Sequence, residues 1–376
     1  MSIQIFSHFD GGNIDVIDAS DPSAIKLSIT PDAGDEHLQW FHFQVCNARE
    51  QACVFSIENA GQVSYPPGFE GYQAVCSVDQ EHWFRVPTEF DGQTLTIRHS
   101  PPADVAYYAY FAPYSLARHQ SLIADALNSP LVQAESLCAT PDGHAHTLLI
   151  IGEETPEVKK LWVTARQHPG ETMAEWWVEG FLDRVLDTED PVSRRLLEQA
   201  VIYLVPNMCI DGAVRGHLRC NALGRNLNRE WAEPSAEASP EVYYVIEKMK
   251  QTGVDFGFDV HGDEALPYNF IAGAEGTESW NDHKQAQLDD FKALLASISP
   301  DFQTEFGYDV DPPKSSDMKK CTDWVAETFD CLAMTLEMPF KDSAITPDEE
   351  VGWSPGRCMN LGRACVDAFW HTLPKL

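Results

Sequence analysis

Leu161-Trp-Val-Thr-Ala-Arg-Gln-His-Pro-Gly-Glu-Thr172 reads as a buried strand running into a tight turn. The residues after it continue as an amphipathic helix carrying Met173, Trp176, Trp177, Phe181, Leu182 and Val185. Apolar side chains at that spacing share one helical face, whereas a short apolar run bounded by polar residues fits a buried strand. The turn carries His168 and Glu171, with Pro169 to stiffen it and Gly170 to let another backbone approach without a Cβ in the way. An imidazole nitrogen and a carboxylate oxygen so placed can point into one site, and both are good ligands for zinc. The same spacing recurs at His261-Gly-Asp-Glu264. Alone, therefore, it equally describes a solvated histidine beside a glutamate that favours a helix N-terminus.

Outward from this stretch, strands and helices alternate. Strands are expected over 146–151, 161–165, 201–205, 256–260 and 332–336, and helices over 115–127, 172–186, 240–251, 279–296 and 356–370. That alternation predicts an α/β fold, a mixed and mostly parallel sheet flanked by helices. The chain before it reads differently. Short strands over 38–45, 52–57, 94–98 and 105–111 are separated by turn signals at Pro66-Pro67-Gly68, Asp91-Gly92 and Pro101-Pro102. They predict a small β-sandwich, giving two domains, 1–113 and 114–376. No ligand cluster is evident in the first.

A length of 376 residues is long for one core and agrees with two domains. The net charge of −32 argues against nucleic acid and anionic membrane surfaces as partners, since both require basic surface. No apolar run approaches the ~20 residues of a membrane span. The N-terminus lacks the basic and apolar regions of a secretory signal, so a cytoplasmic location is expected. Ten scattered cysteines with no Cys-x-x-Cys pair suit packed thiols rather than zinc fingers or a disulfide framework.

Ligands in helix-covered sheets gather at the carboxyl ends of strands. His168, Asn207, His261 and Glu337 each follow an apolar strand in the sequence. His261 is a reasonable third metal ligand, and His, Glu and His leave one zinc position open for water. Glu337, in Thr335-Leu-Glu-Met-Pro339, is costly to bury without purpose and can serve as a general base; the plainer reading is a rim glutamate. Between Gly212 and Arg229 there is no acidic residue, yet Arg215, Arg219, Arg225 and Arg229 all fall there. In so acidic a chain this suggests a place for an anion such as a carboxylate, unless these arginines pair with acids elsewhere.

The series His168-Pro-Gly-Glu171, Asp211-Gly212, Arg219, Asn228-Arg229, His261 and Glu337 resembles the zinc metallocarboxypeptidases. It looks closest to their cytosolic branch, in a bacterial-type member, and that branch shares the layout of a small β-domain before the catalytic domain. The resemblance implies one Zn2+ per chain held by His168, Glu171 and His261. It implies that Glu337 takes a proton from the attacking water and delivers it to the leaving amine, and that Arg219 stabilises the oxyanion. Asn228 and Arg229 would grip the terminal carboxylate of a peptide or protein tail, making the enzyme an exopeptidase.

Some positions depart from the family pattern. The usual Asn-Pro-Asp-Gly becomes Asn207-Met-Cys-Ile-Asp-Gly212, and Asn226 stands where an Asp commonly orients the first histidine. Gly170 occupies the place where the digestive members carry Arg, as it does in the cytosolic branch. The substrate-capping Tyr is left unassigned, because ungapped counting falls on Ser315, and Tyr308 fits only with a different loop. The pocket wall is expected near Thr322. Lys314, Lys319 and Lys320 are either surface lysines or a preference for an acidic terminal residue. Two other readings use the same residues: an aspartoacylase-like zinc amidohydrolase of small N-acyl amino acids, and an inactive carboxylate-binding module.

Overall fold

The computed structural model describes residues 2–376. The strand Lys159–Ala165 lies in the middle of a seven-stranded sheet. Its order is Val132–Ala139, Ala145–Ile151, Ala200–Val205, Lys159–Ala165, Phe256–Asp263, Leu332–Pro339, Phe270–Ala272. The four inner strands make three parallel pairings, and the outer three pairings are antiparallel. Five of the seven strands thus point the same way, because Val132–Ala139 is reversed twice relative to the inner four.

Side chains alternate across each strand, and the two faces fill two separate cores. Leu161, Val163, Phe258 and Met334 pack with the helices Met173–Val185, Asp282–Ile298 and Pro355–Thr372. Trp162, Tyr203 and Ala333 pack on the other side with Pro240–Thr252 and Cys321–Phe329. Burial on both faces explains why the inner strands are apolar throughout rather than alternating. Two glycines set the tightest helix contact. A Cβ on Gly180 would lie 2.0 Å from the Met359 carbonyl oxygen, and one on Gly362 would lie 2.2 Å from that of Trp177.

Residues 4–109 form two five-stranded sheets packed face to face. Phe43 and Tyr108 of one meet Phe55 of the other at centroid distances of 5.7 and 5.0 Å. This sandwich is locked onto the larger sheet. Arg85 is buried and donates to the carbonyls of Phe340 (2.9 Å) and Trp353 (3.0 Å), while Tyr110 stacks on Phe340 at 4.4 Å.

Several boundaries differ from expectation for identifiable reasons. Phe256–Asp263 and Leu332–Pro339 run past their apolar segments because they pair with each other to the end, so His261 and Glu337 lie within strands rather than after them. The stretch expected to start at 38 begins as His42–Cys46, because Gln39 bonds instead to the backbone of Tyr65. The strand Val132–Ala139 is a solvent-facing edge, and the helices Pro191–Leu197, Ile210–Arg215 and Cys321–Phe329 are too short for a periodic signal. No helix among the described residues is long and apolar enough to cross a membrane.

The helix Pro240–Thr252 carries Glu241 fully buried, its carboxylate bonded to Asn221 Nδ2 at 3.3 and 3.4 Å and to its own backbone N–H. Burial lifts this carboxyl to about 7, so the folded chain holds its proton more tightly than the unfolded chain, where the ordinary value is 4.5. The associated stabilisation is complete below about 4.5 and is lost as the pH rises through about 7. Glu241→Gln is expected to raise the melting temperature by a few degrees at about pH 8, for roughly 2–3 kcal/mol, with a smaller gain at about pH 5.5. Calorimetry at the two pH values checks this.

Candidate active site

The turn after Lys159–Ala165 begins at Arg166, held at φ 56°. Its guanidinium donates to the Pro169 carbonyl at 2.9 Å and pairs with buried Glu175. Gly170 does what its missing Cβ suggested: its N–H donates to the Leu218 carbonyl at 2.9 Å, and a Cβ there would press on the same oxygen. The histidine turn and the segment bearing Arg219 are thereby bound together. From the neighbouring strands, His261 and Glu337 are direct cross-strand partners.

His168, Glu171 and His261 converge, with one ligand atom from each lying within 4.8 Å of the others, all three residues buried. Nδ1 of His168 lies 2.6 Å from Glu171 Oε1, and Nδ1 of His261 lies 2.8 Å from Oε2. The other ring nitrogens are engaged outward. Nε2 of His168 faces Asn226 Oδ1 at 3.1 Å, and Nε2 of His261 faces Asp259 Oδ2 at 2.8 Å. Asn226 thus does accept from the first histidine, without the charge an Asp would bring. Burial and the Arg219 charge push His168 down to about 4, which keeps it neutral. Burial works against ionisation of Glu171, but the two imidazoles outweigh it and hold its carboxyl well below the usual range. Burial likewise disfavours charge on His261, and the carboxylates of Asp259 and Glu171 overcome it.

The three residues open into a cleft of about 490 Å³. Glu337 lies on its wall, with Oε2 buried and without a hydrogen-bond partner among the described residues. Burial raises its carboxyl; His261 opposes this, and Glu171, Asp263 and Glu264 add to it. Of the four arginines, two reach the cleft, Arg219 and Arg229. The other two are ordinary pairs: Arg215 with Asp142 at 2.7 Å and Arg225 with Glu230 at 2.8 Å. Asn228 is also in the cleft, its Oδ1 accepting from Cys321 N–H at 2.8 Å, which leaves its amide Nδ2 for a ligand. Asp211 is not in the cleft. It binds Thr140, Asp142 N–H and His144 at 2.6–2.8 Å and so holds the turn between Val132–Ala139 and Ala145–Ile151.

The model of the zinc carboxypeptidase family matches residues 124–353, and that of the cytosolic carboxypeptidase N-terminal domain matches 5–111. The chain belongs to the zinc carboxypeptidase family. A metallo-carboxypeptidase from Burkholderia cenocepacia is 44% identical, with a TM-score of 0.97 and 100% of both chains covered. A metallo-carboxypeptidase from Pseudomonas aeruginosa, in complex with (2-guanidinoethylmercapto)succinic acid, is 43% identical, with a TM-score of 0.96 and 99% of both chains covered. Cytosolic carboxypeptidase 6 of Caenorhabditis elegans is 25% identical over 88% of this chain and 77% of its own. The protein is therefore a peptide hydrolase of the metallocarboxypeptidase type that uses zinc.

The donor set of this carboxypeptidase fits that ion. Two imidazole nitrogens whose opposite nitrogens are held, together with one carboxylate, are donors of the kind that suit a catalytic zinc. A second donor group, Asp35, His37 and Cys220, is also close-set but lies outside the cleft.

Tyr308, Lys292 and Glu264 are among the cleft residues to which the sequence assigns no role. Tyr308 donates to Asp263 Oδ2 at 2.7 Å, and its hydroxyl is 3.3 Å from Glu337 Oε1, whereas Ser315 turns back on Pro312 outside the cleft. Lys292 lines the cleft beside Lys320, which pairs with Asp311 at 3.8 Å, while Lys314 and Lys319 are exposed outside it. Glu264, the end of the second His-x-x-Glu, faces the cleft with its carboxyl pushed up to about 8, by burial first and then by the Glu171 charge. Thr322 lies in the wall as expected, 2.6 Å from Thr335.

Proposed function

We propose that the enzyme removes residues from the C-terminus of peptides or protein tails. In this reading His168, Glu171 and His261 hold one zinc, Glu337 is the general base, Arg219 stabilises the oxyanion, and Asn228 and Arg229 bind the terminal carboxylate. The observation that carries it is a single cleft lined by the three-donor cluster, by Glu337, whose Oε2 is without a partner among the described residues, and by the two guanidinium groups of Arg219 and Arg229. Zinc, when bound, polarises the scissile carbonyl and makes a water nucleophilic at neutral pH. Arg229 and the Asn228 amide anchor the substrate's carboxylate, which sets the last peptide bond over the donor cluster. Glu337 takes a proton from the attacking water and passes it to the departing nitrogen. Arg219 offers donors to the oxygen on which charge develops, a contribution of about 3–4 kcal/mol. Tyr308 closes over the substrate; its hydroxyl, already beside Glu337 on a half-exposed loop residue, supports that role.

The succinic-acid ligand of the Pseudomonas relative carries carboxylates, which agrees with a carboxylate grip here. The same proposal places the boundary between sandwich and catalytic domain at 113/114, in the gap between the two matched family regions. It also places the enzyme in the cytoplasm, on its likeness to the cytosolic carboxypeptidases. The test is incubation of the zinc-loaded protein with a mixed peptide library, followed by mass spectrometry. A ladder of products shortened from the C-terminus is expected, and the residues it stops at give the terminal preference. Release of acyl groups from N-acyl amino acids with every peptide left intact would sink the proposal.

A further inference from the structure

Arg219 reaches the cleft, but among the described residues its guanidinium makes no side-chain hydrogen bond to the protein. A long side chain without such partners gives up much of its rotamer freedom when it is fixed in one place. Preorganisation at a developing charge therefore needs another source. The β-sandwich supplies it twice. Asp32, buried on the loop between Ile25–Ser28 and His42–Cys46, accepts from the backbone N–H groups of Leu218 (2.7 Å), Arg219 (2.7 Å) and Cys220 (2.8 Å). Next to it, Ala33 N–H donates to His217 Nε2 at 3.1 Å, and His217 Nδ1 donates to the Cys220 carbonyl at 3.0 Å. The main chain on both sides of Arg219 is thus pinned by one carboxylate and one imidazole.

Tyr65 acts on the side chain itself. Its ring centroid lies 5.4 Å from Arg219 Cζ, within reach of a cation–π contact, and both residues line the cleft. Tyr65 is in turn fixed by Gln39, whose amide bonds its N–H at 2.9 Å and its carbonyl at 3.1 Å. A guanidinium within cation–π reach of a held ring has fewer orientations, and both groups line the cleft that a substrate would enter.

We propose that Asp32 and Tyr65 are positioning residues for Arg219, so that the N-terminal sandwich completes the oxyanion site of the catalytic domain. The inference rests on the reading of Arg219 given above. The sandwich is then part of the active site rather than an appended module, and a chain lacking it is catalytically crippled even where it folds.

The test is steady-state kinetics of the full-length, zinc-loaded enzyme on a C-terminally cleaved peptide. The variants are Tyr65→Leu, Tyr65→Phe, Asp32→Asn, Arg219→Ala and the Tyr65→Leu/Arg219→Ala double variant, with zinc content and melting temperature measured for each. Tyr65→Leu is expected to lower kcat about tenfold with KM little changed, while Tyr65→Phe, which keeps the ring, stays near the parent. Asp32→Asn should behave like Tyr65→Leu. Affinity for a phosphonate peptide that mimics the tetrahedral state should fall in the same proportion as kcat. In the Arg219→Ala background, Tyr65→Leu should cost nothing more, because the group it positions is gone.

The inference is overturned if Tyr65→Leu keeps full kcat, or if it costs a further tenfold on top of Arg219→Ala. Should Asp32→Asn fail to fold, the Tyr65 series decides alone. If Arg219→Ala itself retains kcat, the oxyanion reading of Arg219 falls and this inference with it. If Arg219→Ala is crippled while Tyr65→Leu and a folded Asp32→Asn are not, only the inference falls.

Discussion

Glu337→Gln is expected to lower kcat by about 10³-fold or more, while the protein keeps its zinc and its melting temperature. The substitution is nearly isosteric, so packing around the strand Leu332–Pro339 should survive it. What it removes is the ability to accept a proton. Among the described residues, buried Oε2 of Glu337 has no partner and Oε1 has the Tyr308 hydroxyl at 3.3 Å. A carboxylate left so poorly solvated is a strong acceptor for the proton of an incoming water, and burial favours its protonated form between accepting and delivering. Elemental analysis of the variant should return the parent's zinc content, and the peptide ladder should vanish. A variant that still hydrolysed peptides within about tenfold of the parent would remove Glu337 from its role. Suspicion would then move to Glu264, another buried carboxyl in the cleft.

Much of this site can be read along the chain, because its parts sit at the ends of apolar runs. His168 and Glu171 are legible together since a single turn holds both. His261 and Glu337 are legible separately, but their adjacency is a matter of strand register, which periodicity does not state. The arginines show the limit. Arg215 and Arg225 look no different in sequence from Arg219 and Arg229, and only the fold brings Asp142 and Glu230 beside the first two. Tyr308 is hidden for a different reason. It stands on a loop whose length counting cannot correct, and its address depends on an edge contact with Phe270 at 4.8 Å. Asp32 is hidden by its surroundings: Thr30-Pro-Asp-Ala-Gly-Asp35 reads as a turn, which accounts for the residue without any distant partner. The one signal in that region is a buried aspartate in a solvent-like motif, visible only once burial is known.

Removing the metal with a chelator is expected to abolish peptide hydrolysis altogether, and one equivalent of Zn2+ should restore it. The reason lies in how the donor set is held. His168 is neutral and Glu171 ionised, and the outward ring nitrogens are tied to Asn226 and Asp259. Asp259 is itself braced by Thr164 Oγ1 at 2.7 Å and Gln167 Nε2 at 2.6 Å. The donors are already gathered, and a cation has only to displace the proton that Asp259 and Glu171 favour on His261, so binding should stabilise the fold as well as enable the reaction. An ion present at a thousandfold excess over its dissociation constant adds about 4 kcal/mol to the native state. The chelated protein should therefore melt several degrees lower and recover on adding zinc. His261→Ala should do more, since it removes a donor and leaves the buried carboxylates of Asp259 and Glu171 facing each other without the imidazole between them. That variant is expected to bind zinc at least about a hundredfold more weakly and to lose activity at any attainable zinc concentration. Hydrolysis that persisted after chelation, in protein shown by elemental analysis to hold no metal, would mean that the buried trio serves the fold and the chemistry is done elsewhere.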